Sequence, residues 1–534
     1  MGKGIVKLGE GNWAVKDGNL LAAKETNGRF KNAEFTVARG TRATYVGRDG
    51  LIKESNLQDV NLVPSIITTE NNNGGVINYI SGNIYSSTSD GTSTSIIRPR
   101  FNFNTESGKT YKLVVTPTGT ITGTVNFKFY DGSSYLFQDY DFTTTKEIYF
   151  TDNGGVFGAF DGQQTYSINS FTISVQEIKT DTPRIDFTDN TDGHLLLEPQ
   201  STNLVPYSED FSQNSILGGT ILSDNIISPD GALNGNVYKE DTNTSQHRIR
   251  KDVSVSTGTY TMSCFVKGTD RFVSFYPQGA GTAYAIFDID NELITNTGGA
   301  NYVNSIIEDY GNGWSRCSLT YNVSLGNSLL HIYLSNNSSI PAPSYLGNES
   351  EMSFYGLQLE EGSFATSYIP TNGSTVTRDA ETCTGAGEAA DFNSEEGVLY
   401  AEIAALVDDA TNRCIALSDG TADDRITLLF GTSSNRIRAI VKSNGSTSFD
   451  EEYTVTSTLD YHKVAIKYKA NDFALWIDGV ERFTDTSGDI FAQYTLDELS
   501  FNIGGDLFPF YGKCKAIRVY KEALSDSELT TLTS

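Results

Sequence analysis

The sequence predicts an all-β protein: several antiparallel β-sandwiches of the jelly-roll kind in series, with a small N-terminal collar and one short C-terminal helix. Three observations predict it. Runs of alternating apolar and polar residues recur along the 534 residues, as in Val125-Asn126-Phe127-Lys128-Phe129, and period two marks a half-buried strand. Fifty glycines, and turn pairs such as Asp131-Gly132 and Asp478-Gly479, punctuate these runs. A phrase also repeats. Asn61-Leu62-Val63-Pro64-Ser65 returns as Asn203-Leu204-Val205-Pro206-Tyr207, then Thr110-Tyr111 returns as Thr259-Tyr260, and Ser170-Phe171 with Glu177 returns as Ser353-Phe354 with Glu360. Three anchors in one order mark a duplicated module.

At about 100 to 200 residues per domain, the length calls for roughly three or four cores. Residues 1–57 are too short for a comfortable domain, and Asp49-Gly50 between β-forming runs reads as a hairpin turn. Their expected partner is 181–202, through Pro183-Arg184-Ile185-Asp186-Phe187 and Leu195 to Pro199, which makes a collar of 1–57 plus 181–202. Residues 58–180 then form an inserted sandwich, and 203–362 a second one, with Phe272-Val273-Ser274-Phe275-Tyr276 and Ala285 to Asp290 as strands. Polar, Gly- and Thr-rich 363–390 reads as a linker. In 391–534, Val464, Ile466 and Tyr468 alternate again, and Ser525-Asp526-Ser527-Glu528 has the form of a capping box that starts a helix.

The net charge of −27 argues against nucleic acid, because phosphate binding needs clustered Lys and Arg. Residues 1–56 hold ten Lys or Arg and six Asp or Glu, a balance of +4, against −31 for the rest. A basic end on an acidic body predicts that this end docks. Five cysteines without a CxxC pair predict neither a disulfide framework nor a zinc site, and fit synthesis in a reducing cytoplasm. No apolar run of 18 residues and no signal-like N-terminus is found, so no membrane partner is expected.

Catalytic patterns are scarce. The four histidines, His194, His247, His331 and His462, are scattered without H-E-x-x-H, and no G-x-S-x-G elbow occurs. A glycosidase needs two carboxylates facing one sugar bond, whereas Glu395-Glu396, Asp408-Asp409 and Asp423-Asp424 are adjacent and would point to opposite faces of a strand. The expectation is therefore that the chain is not an enzyme and needs no cofactor. Calcium is the better metal candidate, through the loop carboxylates Asp419, Asp423 and Asp424, or Asp186, Asp189 and Asp192, although turn chemistry alone also enriches Asp. For carbohydrate, Tyr276 and Tyr284 flank a loop and offer flat rings to a sugar face, while most other rings, with Trp314 and Trp476, are needed for the cores.

Phe287-Asp288-Ile289-Asp290 with Tyr310-Gly311-Asn312-Gly313-Trp314-Ser315-Arg316-Cys317, the opening Thr202 to Phe211, and the exit Ser367 to Thr371 with Ser374 to Arg378 resemble a bacteriophage head-spike or fibre module. Arg42 to Ile52, with Pro183 to Phe187 and Leu195 to Gln200, is similar to the leader of phage tail appendages. Tyr461 to Ala465, Leu475-Trp476-Ile477-Asp478-Gly479 and Lys515 to Tyr520 resemble the concanavalin A-like, laminin-G-type jelly roll. The resemblance implies a virion appendage, made in the host cytoplasm, held by other capsid or tail proteins through its N-terminal region. It also implies display of lectin-like domains to host surface polysaccharide, as a dimer or trimer. A polysaccharide depolymerase and a ligand-free capsid decoration protein are the alternatives.

Overall fold

The structure, a computed structural model, describes residues 6–534 apart from 17–18, 27–28, 56, 62–64, 68–74, 93–99, 104, 140–141, 162, 179–180, 189–190, 279–281, 325–327 and 506. Its described elements are antiparallel β-sheets, two short 3-10 turns and one α-helix. The chain divides into two units, Asn56–Thr180 and the remainder, Met1–Ser55 with Asp181–Ser534.

Asn56–Thr180 is a sandwich. One sheet runs in the order Lys146–Thr151, Thr110–Pro117, Thr165–Ile178, Ile84–Asp90, Gly75–Ser81, and the other in the order Tyr135–Asp139, Phe127–Tyr130, Phe157–Phe160, Arg100–Asn102, Ser65–Ile67. Between them lies a core rich in rings, including Phe101, Phe127, Phe129, Phe160 and Phe171. Lys128, polar in the alternation, is nevertheless buried, with Nζ 3.7 Å from Asp161.

The larger unit holds two more sandwiches. In the first, one sheet is ordered Ser215–Leu217, His247–Val253, Ser328–Ser335, Phe272–Phe275, Tyr284–Asp288, Leu293–Gly298. It faces the sheet Gly219–Ile227, Leu233–Glu240, Glu351–Glu361, Gly258–Lys267, Ser315–Val323, Tyr302–Asp309. The same segments of the repeat lie side by side in both sandwiches. The match is close but shifted by one residue: Tyr111 pairs with Glu177 whereas Tyr260 pairs with Glu361, next to the equivalent Glu360, and Asn61 pairs with Gln176 whereas Leu204, next to Asn203, donates its N–H to Leu359 O at 2.8 Å. Asn203 explains its place in the phrase. Fully buried, its amide donates to the carbonyls of Leu357 and Ile369, and its oxygen accepts from the Val205 N–H. Leu62, Val63 and Pro64 of the first copy lie outside the described residues.

The last sandwich departs from expectation. Its five-stranded sheet is ordered Ser446–Thr454, Arg436–Ser443, Arg425–Phe430, Arg413–Ser418, Glu498–Ser500. The opposing sheet is extended by the N-terminal region, because Val6–Gly9 pairs with Gly512–Tyr520 and is followed outward by Asn19–Thr26 and Arg29–Ala38. Val6, Leu8, Leu20 and Phe35 share one core with Leu399, Ile466 and Ile517. Both pieces of the anticipated collar therefore join this sheet, since His194–Leu197 also pairs with Gly512–Tyr520. The predicted hairpin survives as Ala43–Val46 paired with Ile52–Ser55, turning at Gly50 with φ +75°. Arg184–Asp186 pairs with His194–Leu197 and is bonded to the hairpin at three points: Phe187 N–H donates to Val46 O, Val46 N–H to Asp186 Oδ2, and Arg184 Nη1 to Thr44 O. On the outer side of the large sheet, the helix Asp526–Thr533 lays Leu529 and Leu532 against Tyr400 and Trp476. The Ser525 and Glu528 capping box starts it, as predicted.

Residues 363–390 are a second correction. Instead of a loose linker they anchor themselves by buried side chains, Thr366, Tyr368, Ile369, Arg378 and Glu381 among them, while 372–375 are exposed. Val376–Arg378 pairs with Ser201–Asn203, and Thr382–Thr384 with Arg29–Ala38. Their polar composition serves a buried charge cluster. Glu381 binds Arg39 and Arg184; Glu198 lies 2.7 Å from Arg184 Nη1 and 2.8 Å from Arg378 Nη1, and Ser367 Oγ and N–H complete its shell. Burial would raise the Glu198 carboxyl, but Arg378 and Arg184 outweigh it and hold its pKa at about 2.

Candidate functional site

Strand periodicity on the second sandwich builds the candidate site. In the sheet from Ser215–Leu217 to Leu293–Gly298, Ile249, Leu330, Ile332, Phe275 and Phe287 point into the core. The residues between them lie on the other side of the sheet, where Ser274, Ile286, His331 and Tyr333 are buried and Arg248, Arg250, Tyr276 and Tyr284 are partly exposed. Register then sets two adjacent rows across the strands. In one, Arg250 pairs with His331, the Tyr276 N–H donates to His331 O, and Tyr284 pairs with Gly298. In the next, Arg248 pairs with Tyr333, Tyr333 with Ser274, Ser274 with Ile286, and Ile286 with Asn296.

The two predicted tyrosines are brought together. Tyr276 and Tyr284 are half-buried neighbours, with ring centroids 5.9 Å apart at 76°, and Tyr333 lies 6.3 Å from Tyr276. Edge-to-face packing of this kind holds a ring still through its quadrupole and contact area. Tyr284 lies close over a glycine: a Cβ at Gly298 would stand 2.7 Å from its hydroxyl. The loop expected between the tyrosines falls partly at 279–281, outside the described residues.

Four further side chains complete the face. Arg248 Nη1 donates to Tyr333 Oη at 3.3 Å, and Tyr333 Oη lies 3.3 Å from His331 Nδ1. His331 Nε2 and Ser274 Oγ are buried without a hydrogen-bond partner. Arg250 is neutralised by Asp252 through two bonds of 2.6 and 2.7 Å. Burial, then Arg248 and Arg250, push the His331 pKa down to about 4. Sequence reading missed these residues, yet a signal existed: Arg248 and Arg250 flank inward Ile249, and His331 and Tyr333 flank inward Ile332.

The predicted calcium ligands are not gathered. Asp419 Oδ1 accepts from Thr421 N–H and Oγ1 at 2.9 and 2.6 Å, Asp424 Oδ1 from Asn444 N–H at 2.7 Å, and Asp423 Oδ1 lies 3.4 Å from Lys442 Nζ. These are turn caps and an ion pair, and the ammonium occupies the neighbourhood a cation would need. The alternative set fares no better: Asp186 accepts from Val46 and Thr188 N–H, and Asp189 is outside the described residues. Among the described residues, no three His, Cys, Asp or Glu side chains are grouped to hold a metal ion.

With this geometry in view, comparison with known proteins locates one part of the chain. Residues 392–530 match the concanavalin A-like lectin/glucanases superfamily, so the C-terminal region is a concanavalin A-like, laminin-G-type jelly roll. No curated protein matches. Among solved structures, the chain is similar to the CBM40 of Ruminococcus gnavus IT-sialidase bound to α2,3-sialyllactose, at 17% identity and TM-score 0.24, over 28% of this chain and 94% of that one. It is also similar to mouse laminin α1 domains LG4-5, at 9% identity and TM-score 0.18, over 52% and 86%. Trypanosoma rangeli sialidase matches at 11% identity and TM-score 0.22, over 93% and 98%.

Proposed function

We propose that this chain is a non-catalytic carbohydrate-adhesion protein, carried on a bacteriophage virion as a fibre or spike and binding host surface polysaccharide. The observation that supports the reading is the outward face of the second sandwich. There two half-exposed tyrosine rings share one side of the sheet with the partly exposed, donor-rich guanidinium of Arg248. Sugars need this pairing of flat apolar surface with a few placed polar atoms. The C-terminal jelly roll is a second display domain in the same chain. Weak binding at each site would be strengthened by a dimer or trimer on the particle.

The test is a glycan array probed with the purified protein and with the Tyr276→Ala and Tyr284→Ala variants, paired with a reducing-end assay on host polysaccharide. Retention that both variants weaken, with no new reducing ends, is the expected result. New reducing ends would favour the depolymerase reading, and no retention a ligand-free decoration role. Mass spectrometry of purified particles checks the virion placement.

A further inference from the structure

The adhesion face carries an uncompensated charge in a chain that is otherwise strongly acidic. Of its two arginines, Arg250 is paired with Asp252 at both ends of its guanidinium. Arg248 has no carboxylate within ion-pair distance among the described residues; its partner is the neutral Tyr333 hydroxyl, and its guanidinium carbon lies 5.9 Å from the Tyr333 ring centroid. In a protein of net charge −27, an arginine kept clear of every carboxylate beside an aromatic platform is a placed cation.

The hydrogen-bond chain gives the second observation. Arg248 can only donate, so Tyr333 Oη accepts from it, and the same hydroxyl lies 3.3 Å from His331 Nδ1. A neutral imidazole that accepts at Nδ1 carries its proton at Nε2, and that atom has no partner in the fold. The low basicity of His331 keeps the ring in this neutral form at ordinary pH. Ser274 Oγ, in the same row as Tyr333, is a further unsatisfied group. The face therefore offers a partly exposed cation beside two partly exposed rings, and no unpaired carboxylate, while the Ser274 and His331 groups lie buried beneath.

Building on the adhesion reading above, we infer that the saccharide bound at this face is acidic, an oligomer of uronic-acid-type sugars, one of whose carboxylates is taken by Arg248 while a neighbouring sugar ring packs on Tyr276 and Tyr284. Arg is suited to this role because its planar fork matches a carboxylate at two points. Neutral glycans would gain only the stacking contribution.

Binding of the full chain to oligogalacturonate, and to the same oligosaccharide after carboxyl reduction, tests the inference by calorimetry. The expected result is at least tenfold tighter binding of the acidic form, weakening as salt is raised from 50 to 200 mM. Arg248→Gln should abolish that preference, leaving the two forms bound alike. Equal affinity of the wild type for both forms, or an Arg248→Gln variant that keeps the preference, overturns the acidic assignment while leaving adhesion standing. Tyr276-dependent retention of neutral glycans without any for oligogalacturonate overturns it in the same way. If no neutral or acidic glycan shows Tyr276-dependent retention, the adhesion reading falls and this inference with it. Arg248→Lys serves as a control for folding, because it retains the charge and removes the fork.

Discussion

Arg184 and Glu381, 197 positions apart, form a two-point ion pair with no solvent exposure on either side chain. Arg184 Nε donates to Glu381 Oε1 at 2.9 Å, and Nη2 meets Oε2. Arg39 shares the same carboxylate, so one glutamate answers two buried cations. Removing one partner of such a group is more damaging than replacing all of it, because the charges left behind stay desolvated.

Glu381→Gln should therefore destabilise the larger unit by about 3 to 5 kcal/mol. Urea unfolding, followed by tryptophan fluorescence from Trp314 and Trp476, reads the shift. A midpoint within error of the wild type would show that the cluster contributes no net stability.

Acid should weaken the protein in two separate windows. His331 is held at about 4 in the fold against an ordinary 6.5, so the unfolded chain takes up its proton first as pH falls. Stability from this group is complete above about pH 6.5 and is lost as pH drops towards 4. Glu198 is held at about 2 against an ordinary 4.5. Its contribution is complete above about pH 4.5 and disappears between there and 2. Thermal melts across pH 2 to 8 should show both declines, and His331→Gln should remove the upper one alone.

Gly298→Ala tests the platform without touching its rings. The new methyl would sit 2.7 Å from the Tyr284 hydroxyl and 2.9 Å from its Cζ, so the ring must move. Stability should change by under about 1 kcal/mol, since the end of a half-exposed side chain can give way. Glycan affinity should fall several-fold in the same array, in proportion to how far the ring is displaced.

EDTA should leave the melting temperature unchanged, and added calcium should not raise it. Asp419→Ala and Asp424→Ala should each cost about 1 kcal/mol through lost turn caps, by the same amount with or without calcium. Calorimetry with and without 5 mM CaCl2 checks both expectations.

The legible parts of the fold were those set by local chemistry. Period-two strands, the turn at Gly50 and the Ser525 capping box depend on neighbours a few residues away, and each is where the sequence places it. The assignment of Val6–Gly9 to the C-terminal sheet was not legible, because a short strand carries no label for a partner more than 500 residues distant. Residues 363–390 misled for a related reason. Ser367 and Thr366 read as linker polarity, yet their hydroxyls satisfy Glu198 and Glu360 in the interior. At the candidate site, ring chemistry made Tyr276 and Tyr284 visible, whereas Arg248 and His331 join them only through the pairing of strands far apart in sequence.

The pairing of Val6–Gly9 with Gly512–Tyr520 also sets a clock on biosynthesis. At about 5 to 20 residues per second, the ribosome delivers the second strand roughly 25 to 100 seconds after the first. Throughout that interval the leading strand, with Val6 and Leu8 destined for the core, can pair with Asn19–Thr26 on one edge but keeps the other edge open. Completion of the largest sheet therefore waits for Gly512–Tyr520 to be made, and nascent chains lacking it would be the species that chaperones must hold.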